Sequence, residues 1–220
     1  MKLRIEFKSV LVVAISFAAP ALSPLMAANV ILNGGFEDPV VGAQGNNFPP
    51  SVPNWEVVLN PGSAPCGSGH NIVLGHAGYG GGPDAAVEGT QYYDICGAAG
   101  YIWQGFTVGS ESTITFGASF SRRDADSGGG STDIFDSTNT TLLFSSPLVV
   151  VDASASQEIW LLSSASIPLL PAGSYVMRVN IQDPANADAV FVDVTAIPEP
   201  GTTLFLAGTL AASLRRRRRK

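Results

Sequence analysis

Between Asn29 and Pro200 this chain has no lysine and only three arginines, Arg122, Arg123 and Arg178. The same stretch holds 17 of the 18 acidic residues, so its formal net charge is −14 where the whole chain carries −6. A body this acidic repels phosphate backbones, which excludes nucleic acid as a partner. Cysteine is scarce too, with only Cys66 and Cys96. Long runs of helical period are missing, which excludes a helical bundle. No Gly-x-Ser-x-Gly elbow, His-Glu-x-x-His or phosphate-binding loop occurs, so the common signatures of hydrolases, zinc proteases and nucleotide enzymes are all absent. A glycosidase, which needs only two carboxylates, stays open at this point.

The positive charge that exists is gathered at the two ends. Lys2, Arg4 and Lys8 precede an uncharged apolar run, Val10 to Ala19, and small residues follow at Ala27 and Ala28. That order is the n-region, h-region and cleavage zone of a secretory signal peptide over 1–28, with the cut after Ala27 or Ala28. An uncleaved membrane anchor is the alternative, disfavoured by a run shorter than the ~20 residues a spanning helix needs. Export places both cysteines in an oxidising compartment, where a Cys66–Cys96 disulfide is the expected state. It would contribute about 3 kcal/mol on a chain-entropy account. Two free thiols are the alternative.

The body, 29–197, is long enough for one domain with a real core. Alternation marks strands at Tyr101 to Val108, Ile114 to Phe120 and Tyr175 to Ile181. Shorter apolar runs at Leu142 to Phe144, Leu148 to Val151, Ile159 to Leu162 and Ala189 to Val194 read as further strands. Gly78 to Asp84 and Asp124 to Asp133 read as loops, and Leu169 to Tyr175 as a turn. Many short strands with Gly-rich breaks predict an all-β sandwich or barrel.

The chain closes on Pro198-Glu199-Pro200, an apolar run from Gly201 to Leu214, and a basic cluster, Arg215, Arg216, Arg217, Arg218, Arg219 and Lys220. Basic residues stay on the cytoplasmic side and an apolar run halts translocation. The prolines keep the junction extended. This tail resembles the PEP-CTERM sorting signal of Gram-negative bacteria. The resemblance implies a short C-terminal membrane helix, a transient stay in the inner membrane and removal by an exosortase. It also implies a final place at the surface or in the extracellular matrix of a cell that makes exopolysaccharide. The apolar run of 14 residues departs from a full span and requires bilayer thinning or snorkelling arginines. A plain basic tail on a soluble protein is the alternative.

"NVILNGGFEDP" (29–39), "VPNWEVV" (52–58), "EGTQYYDICGAAGYIWQGFTV" (88–108) and "AVFVDVTAIPEP" (189–200) follow one another along the body. Their order is similar to that of galactose-binding-like jelly rolls, many of them carbohydrate-binding modules. The resemblance implies a jelly-roll β-sandwich whose first and last strands pair. It also implies a structural calcium held in part by Glu37 and Asp193, with further oxygens from the segment near Asp84 to Glu88. The simpler expectation is that both carboxylates bind backbone N–H groups.

Sugar recognition needs an exposed flat ring beside polar groups. Alternation along 101–108 puts Tyr101 and Trp103 opposite Ile102 and Phe106, so Trp103 and Tyr101 are the expected platform. Arg122 is a candidate partner for an acidic sugar, or an ordinary ion-pair former with its neighbour Arg123 toward Asp124 and Asp126. Trp55 and Trp160 are expected in the core. His70 and His76 match no zinc spacing and are expected in a solvated loop. The expectation is therefore a non-catalytic protein associated with exopolysaccharide. A purely structural matrix protein and a polysaccharide hydrolase are the rivals.

Overall fold

The computed structural model describes residues 27–40, 42, 46–47, 52–59, 73–76, 83–95, 100–123, 126–182 and 185–197. Cys66, Cys96, His70, both terminal segments and the sorting-motif residues lie outside these. Among the described residues there is no helix, and all regular structure is strand.

Among the described residues the strands run in chain order: β1 (Ala28–Asn29), β2 (Asn46–Asn47), β3 (Glu56–Leu59), β4 (Val73–His76), β5 (Gln91–Ile95), β6 (Gly100–Val108), β7 (Ser112–Arg122), β8 (Gly128–Asp136), β9 (Leu142–Ser145), β10 (Val149–Val151), β11 (Leu161–Leu170), β12 (Gly173–Gln182) and β13 (Ala185–Ala196). They form two antiparallel sheets. The seven-stranded sheet has the order β11-β7-β13-β5-β4-β2, with β1 also on β13. The six-stranded sheet has the order β10-β8-β12-β6-β3, with β9 also on β8. The expected pairing of first and last strands is present, Ala28 opposite Val194 and Asn29 opposite Asp193.

Period-two alternation decides what lies between the sheets. On β6 the buried set is Ile102, Gln104, Phe106 and Val108. On β12 it includes Met177, Val179 and Ile181, and these face Ile114, Phe116 and Phe120 of β7 within one core. A buried aromatic or aliphatic side chain contributes about 1.5–3 kcal/mol relative to exposure, so this shared interior is what holds the sheets together.

The segments resembling jelly-roll openings are joined physically. Phe36 is fully buried against Trp55 (ring centroids 5.7 Å) and Tyr93 (5.5 Å). Trp55 Nε1 donates to the Asn33 carbonyl at 3.1 Å. Gln104, buried in β6, accepts the Leu32 N–H (2.7 Å) and donates to the carbonyls of Leu32 (3.0 Å) and Asn54 (2.9 Å). One amide thus ties two stretches of loop backbone to the sheet.

Three expectations need correction. Gly128 to Asp133, expected in a loop, belong to β8, a strand with partners on both sides. A Cβ on Gly129 would lie 2.0 Å from the Val149 carbonyl oxygen, and one on Gly130 would lie 2.2 Å from the Phe120 ring. These glycines allow close approach rather than a turn. Trp160 precedes β11 rather than lying in the core. It is half-buried, meets Tyr92 edge-on at 5.9 Å, and donates to the Ala85 carbonyl at 2.9 Å. His76 lies in β4, opposite Gln91, rather than in a loop.

Candidate functional site

Strand register lays out the outer face of the six-stranded sheet. Trp103 of β6 stands opposite Glu56 of β3 on one side and Arg178 of β12 on the other, and Arg178 stands opposite Asp133 of β8. Two residues along, the next outward row is Val58, Tyr101, Asn180 and Ser131. Trp103 and Tyr101 are half-buried, as alternation requires once Ile102 and Gln104 face inward.

Arg178 organises this face. Its guanidinium lies 4.4 Å from the Tyr101 ring centroid and 3.7 Å from that of Phe135. It donates through Nε to Asn139 Oδ1 at 2.6 Å and through Nη2 to the Asn139 carbonyl. Asn139 adopts a left-handed φ of 59° in the turn between β8 and β9. Asp136 fixes that turn, its Oδ1 accepting from Thr138 Oγ1 and from the Thr140 and Thr141 N–H groups at 2.9–3.2 Å. The Thr140 N–H is the largest of the influences that hold the Asp136 carboxyl below the usual carboxylate range. The chain from Asp136 through Asn139 and Arg178 therefore sets the orientation of Tyr101.

Beside Tyr101 the face opens into a cavity of about 400 Å³ lined by Gly100, Tyr101, Ser131, Leu148, Asn180, Ile181 and Gln182. Asn180 Nδ2 donates to Asp133 Oδ2 at 2.7 Å.

Arg122 is not part of this face. It belongs to β7 in the other sheet, and its Nε donates to the Ala155 carbonyl at 2.8 Å. Its neighbour Arg123 pairs with buried Asp94 at 3.1 Å. The guanidinium that joins the aromatics is Arg178. Its place was readable from the alternation of Tyr175 to Ile181, but the pairing of β12 with β6 was not.

Glu37 and Asp193 are also kept apart. Glu37 Oε1 accepts the Thr90 and Gln91 N–H groups, both at 2.7 Å, and Oε2 accepts Thr90 Oγ1 at 3.0 Å. The carboxylate that joins it at this segment is Asp188, whose Oδ2 accepts the Val87 and Glu88 N–H groups at 2.6 and 3.0 Å. Glu158 completes the set by accepting the Asp84 N–H at 2.9–3.0 Å. Asp193 stands five residues further along β13, about 16 Å at strand rise, opposite Asn29 and Thr115. A hard cation needs converging oxygens, whereas residues 84–91 aim N–H groups at these carboxylates. The Glu37–Asp193 pair does not fit a calcium site. Among the described residues no group of three or more His, Cys, Asp or Glu side chains is placed to hold a metal.

Burial is the main cause that raises the Asp188 carboxyl to about 7, against the hydrogen bonds from Glu88, Ala189 and Val87. Nothing in the sequence marked Asp188. Its burial follows from residues 83–90 and Trp160 folding over that end of the seven-stranded sheet.

No protein-family model matches the chain, and no curated protein sequence does. Several solved structures are similar to it. The module TmCBM61 in complex with β-1,4-galactotriose is 13% identical, with 75% of this chain and 97% of that one covered and a TM-score of 0.46. A CBM4 structure is 16% identical over 75% and 99%, with a TM-score of 0.47. The tandem CBM22 domain of Paenibacillus barcinonensis Xyn10C is 8% identical over 85% and 49%, with a TM-score of 0.48. At these identities no binding residue carries over to this chain.

Proposed function

We propose that this protein is a non-catalytic polysaccharide-binding protein whose ligand lies across the outer face of the six-stranded sheet. The observation that carries the proposal is the row of Trp103 and Tyr101, half-exposed on one strand and flanked by Arg178, Asn180 and Ser131. A pyranose offers a flat C–H face that an aromatic ring covers well, and hydroxyls at its rim that amides and hydroxyls satisfy. The sheet supplies both at adjacent register positions, on backbone that needs no rearrangement to bind.

Hydrolysis fits this face poorly. Its two flanking carboxylates, Glu56 and Asp133, are three inter-strand steps apart. That is about 14 Å of sheet, against the ~5–9.5 Å that separates the carboxyl pair of a glycosidase. Native affinity electrophoresis in gels containing soluble polysaccharides tests the proposal. Trp103→Ala should weaken retardation at least about tenfold, equivalent to 1.4 kcal/mol. Unchanged retardation by a variant that melts normally removes the platform, and no retardation by any polymer favours a purely structural matrix protein.

The proposal extends to location, on sequence order alone. Residues 1–28 direct export, and 198–220 hold the chain in the inner membrane until an exosortase removes them. The body then reaches the surface or the extracellular matrix, where Cys66 and Cys96 are oxidised. Mass spectrometry of surface-associated protein should find chains ending near Pro200. Chains that still carry Arg215 to Arg219 would retire the processing step.

A further inference from the structure

We infer that the polymer bound at this face is uncharged, and that the cavity beside Tyr101 takes one of its neutral pyranose rings. The inference rests on the binding proposal above and adds the chemical class of the ligand. At about 400 Å³ the cavity is near the lower end of small-molecule sites, ~300–1,000 Å³, which suits roughly one or two sugar rings. Tyr101 and Leu148 give it apolar wall, and Ser131, Asn180 and Gln182 give it polar rim.

That rim decides the class. Amides and hydroxyls both donate and accept, as sugar hydroxyls do. A uronate carboxylate only accepts, and once desolvated it requires a charge-assisted donor. Among the described residues no cationic side chain lines the cavity. The nearest guanidinium, Arg178, is packed against Tyr101 and Phe135 and already donates through Nε and Nη2 to Asn139. Asp133 accepts from Asn180 at the cavity's edge, which sets a negative charge where an anion would have to approach. The net charge of −14 over 29–200 acts the same way at longer range, and salt screens that repulsion.

Three soluble probes test this with the full chain: β-1,4-galactan and a mixed-linkage β-glucan as neutral polymers, and polygalacturonate as the acidic one. At least one neutral polymer should retard the protein, equally at low salt and at about 150 mM. Polygalacturonate should not retard it at either. Asn180→Ala and Gln182→Ala should each weaken neutral binding by about tenfold. Gln182 is exposed, so its variant separates loss of binding from loss of folding, and melting temperatures check both. Retardation by polygalacturonate that fades with salt would overturn the assignment of an uncharged ligand while leaving the face as a glycan site. Neutral binding that both variants keep, but Trp103→Ala loses, would remove the cavity from the site and leave the platform. Binding to none of the probes would count against the face and the cavity together.

Discussion

Gly130→Ala should destabilise this domain, although glycine to alanine in a strand is ordinarily neutral or helpful. The added Cβ would lie 2.2 Å from the Phe120 ring and 2.4 Å from the Asn180 carbonyl oxygen. Carbon contacts are comfortable near 3.5–4.0 Å, so β8 would have to back away by more than about 1 Å. Retreat from Phe120 opens the contact between sheets, because that ring is fully buried in the shared core. Retreat from Asn180 breaks the ladder between β8 and β12. Overpacking of this kind costs about 1–3 kcal/mol. Reduced freedom of the unfolded chain returns about 0.4–1 kcal/mol. The net loss is roughly 1–2 kcal/mol, or a fall in Tm of about 2–8 °C for a domain of this size. Gly109→Ala is the internal control, since nothing lies within 4 Å of its Cβ position. It should melt at the wild-type temperature or slightly above. Thermal unfolding followed by circular dichroism reads both. If Gly130→Ala melts no lower than Gly109→Ala, the glycines of β8 are not steric, and the account of this strand is wrong.

The Asp188 carboxyl has its folded pKa raised from 3.8 to about 7, so its favourable contribution is complete below about pH 4 and is lost as pH rises through 7. That loss is of order 4 kcal/mol in full, with about 2.6 kcal/mol of it falling between pH 5 and pH 8; urea unfolding at those two pH values should show a smaller drop with pH in Asp188→Asn than in the wild type, and identical drops would contradict the assignment. Gln104→Ala strips one acceptor and two donors from the Leu32 and Asn54 backbone and should cost about 2–4 kcal/mol in denaturant melts. A loss below about 0.5 kcal/mol would mean that solvent satisfies those groups.

Strand positions were readable where one face is buried and the other is not. Ile102, Phe106 and Val108 alternate with Tyr101, Trp103 and Thr107, and that pattern alone placed Trp103 outward. Reading failed where glycine had a second meaning. Gly128-Gly129-Gly130 has the composition of a turn, and only the proximity of Val149, Phe120 and Asn180 shows why a strand needs it. It also failed where a side chain's role depends on register between distant strands. Arg178 and Trp103 are 75 residues apart and become neighbours through the β6–β12 ladder. Arg122, which looked equally available, is assigned to the opposite sheet by the same topology. Glu37 was legible as the carboxylate that follows Phe36 in the opening segment, and for it the simpler expectation of N–H acceptance is what the geometry shows. Its companion, Asp188, was not legible, because burial by residues 83–90 is a tertiary event.

The two sheets therefore use their outer faces differently, and the difference follows from where the acids sit. On the seven-stranded sheet, Glu158, Asp188 and Glu37 accept the N–H groups of residues 84, 87, 88, 90 and 91 in turn, and the held segment covers Asp188 completely. Gly89, with φ of 66° and no room for a Cβ beside the Glu37 carboxyl, lets the backbone turn tightly enough to present amides on both sides of it. Hydrogen bonds to charged carboxylates such as Glu37 contribute about 1.5–3 kcal/mol each, enough to hold a short segment that has little apolar surface to bury. On the six-stranded sheet the corresponding acids, Glu56 and Asp133, flank an aromatic row, and Trp103 remains half-exposed. One end of the first outer face is closed by the chain itself, while Leu162 at its β11 edge stays exposed, and the second face presents rings and amides to solvent. A polymer laid along that second face meets aromatic surface without displacing any backbone hydrogen bond, which is why the open sheet, rather than the acid-rich covered one, is the place to look for bound glycan.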